Sequence, residues 1–146
     1  MKKTFVTLLA LLTIGITVSI ADPRNDIDPK ILSAFQKEFS FVKNARWQEE
    51  GTLVRVNFLL NDQGITAWYN SVAELVATAR NILYNQLPIS VIRSFDKQYA
   101  GAEIFAITEL NRNDETWYQI QVNKKDKKYL LKASPSGNII MLKKIK

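Results

Sequence analysis

The chain has 146 residues, with 20 Lys and Arg against 14 Asp and Glu, and no histidine or cysteine. A chain without His or Cys lacks the usual general base, thiol nucleophile and soft-metal ligands, which excludes disulfides, a His/Cys zinc site and most nucleophilic catalysis. The net charge of +6 is uneven: residues 102–146 hold nine basic and five acidic side chains, whereas residues 22–101 hold nine of each.

The N-terminus reads first as an address. Lys2 and Lys3 precede an apolar run from Phe5 to Val18, and Ser19-Ile20-Ala21 follows. A basic start, a short apolar middle and a small-x-small end make a secretory signal peptide cut after Ala21. The run is shorter than the about 20 residues a spanning helix needs, and no Cys follows to carry a lipid. The expected mature chain, 22–146, is long enough for one domain with a proper core and has no second run of spanning length. It belongs in the periplasm or the extracellular space, where nucleic acid is not a partner.

Residues 22–28 are polar and are expected to be loose. Asp28-Pro29 then has the form of an N-cap followed by a first helical residue, and Ile31, Leu32, Phe35 and Phe39 share one helical face. This helix is expected to end near Ser40. The period then changes to alternation. Ala45 and Trp47 mark a first strand, with a turn at Glu50-Gly51. Val54, Val56, Phe58 and Leu60 mark a second, and Asn61-Asp62-Gln63-Gly64 is rich in turn formers. Ile65, Ala67 and Tyr69 give a third strand, and Glu74 to Arg80 a fourth.

The same unit recurs. Leu32, Phe35, Lys37 and Phe39 match Ile92, Phe95, Lys97 and Tyr99 at an offset of 60, with Pro88 expected at the first position of the second helix. From the second strand onward the offset is 64: Val54, Val56 and Phe58 match Tyr118, Ile120 and Val122, and Ala67 matches Leu131. The four added residues are expected in a polar hairpin tip, Asn111 to Glu115. The fold class is therefore α+β: a first helix-plus-four-strand repeat over 29–81, a linker over 82–87 and a second repeat over 88–146. A helix with one apolar stripe and a sheet with one apolar face bury both against each other. The two helices should thus lie on one side of an antiparallel sheet whose other face is open.

Several segments together carry a resemblance. They are Phe35-x-x-x-Phe39, Asn44-Ala45-x-Trp47, Ala67-Trp68-Tyr69-Asn70, Glu74-Leu75-Val76-Ala77-Thr78, Leu87-Pro88 and Gly137-Asn138-Ile139-Ile140. From about Ile31 to the C-terminus the chain resembles the PepSY-like, β-lactamase-inhibitor-like proteins. The resemblance implies a secreted or periplasmic protein of a Gram-negative bacterium, with a two-repeat fold similar to β-lactamase inhibitory protein (BLIP). It implies no established activity, and makes a secreted hydrolase or protease the most concrete partner. By the same likeness Asp62 occupies a place comparable to the acidic hairpin-tip residue that BLIP inserts into its target, although an Asp is also what any tight turn favours.

The residues themselves point to binding and not to catalysis. Glu49-Glu50 and Asp114-Glu115 are sequence neighbours, which a strand sends to opposite faces. No Gly-rich loop precedes a helix, and no metal or cofactor is expected. If Val56 and Phe58 face the helices, the outward face presents Arg46, Arg55, Asn57, Trp68, Trp117, Gln119, Gln121 and Lys132. Trp and Arg among polar groups is the composition of protein-binding hot spots, so the expected partner is a protein or peptide of the cell envelope. The alternative is an anionic glycan or lipid head group held by Lys124, Lys125, Lys127, Lys128 and Tyr129. Such lysines also serve as solvated turns that keep strands apart. The second alternative is an unrecognised hydrolase, which would need a deep pocket holding two carboxylates or a Ser–Lys pair. Oligomeric state is not legible.

Overall fold

The computed structural model describes residues 26–145. The expected signal peptide, its cleavage after Ala21 and residues 22–25 lie outside the described residues, as does Lys146. In chain order the elements are α1 (Pro29–Glu38), β1 (Ala45–Glu50), β2 (Leu53–Leu60), β3 (Gln63–Asn70), β4 (Leu75–Asn81), a 3-10 turn (Tyr84–Gln86), α2 (Ile89–Gln98), β5 (Glu103–Arg112), β6 (Glu115–Lys124), β7 (Lys127–Ala133) and β8 (Ile139–Ile145). The eight strands form one antiparallel sheet in sequence order. No helix among the described residues is long and apolar enough to cross a membrane.

Two ten-residue helices are too short to stand alone in water and depend on their packed faces. Asp28 caps α1 by accepting the Lys30 N–H at 2.8 Å, with Pro29 at the first helical position. Ile27, just before that cap, is buried with Ile31 and Phe35, so the expected loose segment tightens by residue 27: an apolar side chain at this position staples the helix entry. Pro88 is itself the N-cap of α2, one residue earlier than expected; it holds the place Asp28 holds in α1, 60 residues before. Helix α1 stops at Glu38, two residues short of Ser40.

Three hairpins close with two residues, both at positive φ: Asn61-Asp62, Asn113-Asp114 and Lys125-Asp126. This backbone matches the twist of paired strands and favours Asn and Asp. Gln63 and Gly64, expected in a turn, therefore already belong to β3. The residues expected to swell the Asn111–Glu115 tip lengthen the strands, where Asn111 pairs with Thr116 and Arg112 with Glu115.

Direct cross-strand partners share a face, so the register shows where each side chain goes. The row Phe58, Ile65, Arg80, Glu109, Tyr118, Ala133 and Ile139 crosses seven strands on the helix side. Two cores form there. One joins Ile27, Ile31 and Phe35 to Trp47, Val56, Phe58, Ala67 and Tyr69, with the Phe35 ring 5.0 Å from Trp47 and 5.1 Å from Phe58. The other joins Val91 and Phe95 to Tyr118, Ile120, Val122, Leu131 and Ala133. Between them the sheet is polar even on this side. Thr78, Asn111 and Thr116 follow one another across β4, β5 and β6, and Arg80 makes an ion pair with Glu109 at 2.8 Å. The helix-side face is thus two apolar patches separated by a polar seam.

Candidate functional site

The opposite face carries the eight residues read from the sequence. Arg46, Asn57, Thr66, Ala79, Leu110 and Trp117 form one cross-strand row. Gln48, Arg55, Trp68, Ala77 and Arg112 form the next. Asn81, Thr108, Gln119, Lys132 and Ile140 form a third, and Gln121 stands beyond it opposite Leu130. No helix among the described residues covers this side.

Neither tryptophan swings freely. The Trp68 Nε1–H donates to Glu50 Oε2 at 3.0 Å. That carboxylate also lies 3.8 Å from Arg55 Nε, and the Arg55 guanidinium donates to the Gln48 side-chain carbonyl. Arg55 Nε has no hydrogen-bond partner of its own although water does not reach it. Arg55 is therefore half-buried in a corner made by Gln48, Glu50 and Trp68. Trp117 is half-buried as well, with the Lys132 Nζ 4.9 Å from its ring centroid, a cation–π contact that lays the lysine stem along the indole.

The two tryptophans sit on β3 and β6, three strand spacings or about 14 Å apart across the sheet and one row, about 7 Å, apart along it. Ala77 and Ala79 of β4 lie on the Trp68 side of the gap and Leu110 and Arg112 of β5 on the Trp117 side, so the floor beside Trp68 is made of small side chains. Sequence reading missed this floor. Its signal is the run Ala77-Thr78-Ala79, but β4 and β5 could be phased only once the two-residue turns were known.

Toward the far end of the same face lies a shallow depression of 570 Å³ lined by Arg46, Asn57, Leu59, Gly64, Thr66 and Asn81 among others. A smaller notch of 70 Å³ at Gly64, Thr66, Ala79, Asn81 and Thr108 adjoins it. Thr66 donates to Asn57 Oδ1 at 2.8 Å and Thr108 to Asn81 Oδ1 at 3.1 Å. These too were missed, because amides and threonines alternate without a recognisable spacing.

The other candidates separate from this face. Asp62 lies in the β2–β3 turn at φ 63°, exposed, and six residues along β3 put it roughly 20 Å from Trp68. The lysine hairpin is partly occupied by its own protein. Lys124 donates to the Gln98 carbonyl at 3.4 Å and stands over the Tyr99 ring, while Lys128 stands 5.4 Å from the Phe105 centroid. Tyr129 packs against the α2 core. Among titratable groups, Tyr69 is held above its ordinary pKa by burial and by donating to Glu38 at 2.8 Å, and burial with donation to Asp96 pushes Tyr84 up to about 12. Both phenols belong to the helix side.

No family model matches the chain, and no curated protein matches it. Solved structures share its fold. A DUF2874 family protein from Bacteroides uniformis ATCC 8492 superposes with a TM-score of 0.73 at 18% identity, over 78% of this chain and 86% of that one. A BLIP-like protein from Bacteroides fragilis NCTC 9343 gives 0.71 at 20% identity, over 85% and 92%. A protein from Bacteroides eggerthii DSM 20697, provisionally assigned to the periplasm, gives 0.72 at 18% identity, over 81% and 87%. At these identities the likeness is one of fold.

Proposed function

We propose that this chain is an exported, non-catalytic binding module that holds a protein or peptide of the cell envelope against its open sheet face. The observation that carries the reading is the pair Trp68 and Trp117 on one uncovered face, each held by a neighbour before any partner arrives. Anchors fixed in advance lose little rotamer entropy on binding, and Trp and Arg dominate binding hot spots. Glu50 and Gln48 position Trp68 and Arg55, and Lys132 positions Trp117.

Export rests on the N-terminal sequence, with removal after Ala21 and residence in the periplasm or outside the cell. The chain is read as two copies of one unit: α1 and α2 are ten residues each, and β2, β3 and β4 recur as β6, β7 and β8. With the fold shared by a BLIP-like protein, this supports membership in the PepSY-like, β-lactamase-inhibitor-like group and a secreted hydrolase or protease as partner. A fold alone does not carry a function, so the partner must be found by experiment. The depressions described on the open face are shallow and open, which favours a flat partner. An anionic ligand at the lysine hairpin would first have to displace the contacts that hold Lys124 and Lys128.

The test is affinity capture from the envelope fraction of the host. The protein and its Trp68→Ala/Trp117→Ala variant are immobilised side by side, with circular dichroism showing that both are folded. A protein retained by the first and lost by the second supports the open face. Equal retention by both refutes it.

A further inference from the structure

Among the described residues strand β8 ends the sheet, with β7 on one side and no strand on the other. An edge strand presents backbone N–H and C=O groups outward as a template for another extended chain. The two edges of this sheet differ. β1 is six residues long and carries Arg46, Gln48, Glu49 and Glu50 exposed along its length, whereas β8 is seven residues long, is charged only toward its C-terminal end, and has an irregular register opposite Leu130/Leu131. On β8 the consecutive Ile140, Met141 and Leu142 are exposed by 49%, 59% and 45%. Lys143 and Lys144 follow directly, opposite Leu130 and Tyr129, and Lys127 and Lys128 of β7 lie at the same end. The salt bridges among the described residues are Arg55–Glu50 and Arg80–Glu109, so none of these four lysines has a carboxylate against it.

We propose that the β8 edge accepts an extended segment of a partner protein by strand addition, with apolar residues against Ile140–Leu142 and carboxylates against Lys143 and Lys144. Main-chain hydrogen bonds would supply affinity and the side chains the choice of segment. The charges select against a second copy of this chain. Two β8 strands about a two-fold axis bring no carboxylate to any lysine. In antiparallel addition of β1 to β8, Arg46 meets the Lys143–Lys144 end, while Glu49 and Glu50 meet the apolar end. The occupant is therefore a foreign acidic-then-apolar strand, held at the sheet edge and not at the two tryptophans.

A fluorescent peptide of sequence Glu-Asp-Val-Thr-Val-Thr-Val places carboxylates at the lysines and valines along Ile140–Leu142 when it runs antiparallel to β8. With the full chain it is expected to bind saturably, to slow amide hydrogen exchange in β8, and to weaken roughly tenfold between low and high salt. Lys143→Glu/Lys144→Glu changes two exposed side chains and is expected to reverse the preference, binding the Lys-Lys version of the peptide over the acidic one. N-methylation at alternate peptide residues is expected to abolish binding, and Trp68→Ala/Trp117→Ala to leave it unchanged. No binding up to about 1 mM peptide, or binding that survives N-methylation, overturns strand addition. A concentration-dependent dimer in sedimentation that Met141→Lys dissolves assigns the edge to a second copy and overturns the proposed occupant.

Discussion

Replacing Arg80 by alanine is expected to destabilise the protein more than replacing Glu109, although the two form one ion pair. The Arg80 side chain is 45% exposed and that of Glu109 only 14%. Arg80 Nε donates to Glu109 Oε1 at 2.8 Å and its terminal nitrogen to Oε2 at 3.3 Å. Removing Arg80 leaves a carboxylate that water hardly reaches. A fully buried pair broken this way costs about 3–5 kcal/mol and an exposed one about 0.2–1 kcal/mol; a pair with one end buried and the other half in water should cost about 2 kcal/mol. Removing Glu109 leaves a guanidinium free to turn into solvent, at about 0.5–1 kcal/mol. The flanking row adds a third arm. Phe58 and Ile65 lie on one side of the pair and Tyr118 and Ala133 on the other, so Arg80→Met/Glu109→Leu completes an apolar row and should fall within about 1 kcal/mol of wild type. Urea denaturation followed by far-ultraviolet circular dichroism measures all three. Equal costs for Arg80→Ala and Glu109→Ala would show that Glu109 is solvated like a surface group, and would refute the reasoning.

Two further outcomes follow from single contacts. Gly137 sits at φ 91°, where a Cβ would lie 2.6 Å from the Ser90 carbonyl oxygen and 2.9 Å from Ser94 Oγ; Gly137→Ala should therefore cost more than about 2 kcal/mol, lowering Tm by roughly 8 °C or more in thermal melts, and an unchanged Tm would contradict that close approach of α2. Burial and the bond to Glu38 raise the Tyr69 pKa above its ordinary 10.0, so the folded state favours the neutral phenol. That contribution is present in full below about pH 10 and is lost as pH rises further, at up to about 1.4 kcal/mol per pH unit. Tyr84, pushed up to about 12, acts in the same direction. Urea titrations across this range should show a shallower alkaline loss in Tyr69→Phe, and an identical loss would remove Tyr69 from the account.

What was legible in the sequence is what local period controls. The stripe of Ile31, Leu32, Phe35 and Phe39, and the alternation of Val54, Val56 and Phe58, each report one face of one element, and a two-residue turn carries that face to the next strand. The outward phase of Arg55, Trp68, Trp117 and Lys132 could therefore be read without coordinates. Arg80 and Glu109 could not be read as a pair, because residues 29 apart meet only through the β4–β5 register, and that register crosses the linker where the pattern is interrupted. Ile27 was hidden for another reason: one apolar residue among aspartates has no period, and its burial is decided by how the chain enters α1. The partners of Trp68 and Lys124 are likewise side-chain contacts across strands, which composition cannot assign.

The two proposed surfaces differ in a way that experiments can separate. On the open face two cationic groups beside the tryptophans already have partners within the fold: Arg55 lies against Gln48 and Glu50, and Lys132 lies over Trp117. A partner there gains mainly from desolvating rings and from anchors fixed in advance, so its affinity should change little with salt. At β8 the lysines have no carboxylate and the outer backbone no strand against it among the described residues, so attraction there combines screened charge with main-chain hydrogen bonds. One envelope protein that bound both surfaces would lose only the edge contribution in high salt, and only the face contribution in Trp68→Ala/Trp117→Ala. Additive losses would mean that the sites act separately. A shared loss would mean that a single partner spans from β6 across β7 to β8, where Gln119, Lys132 and Ile140 already stand in one row.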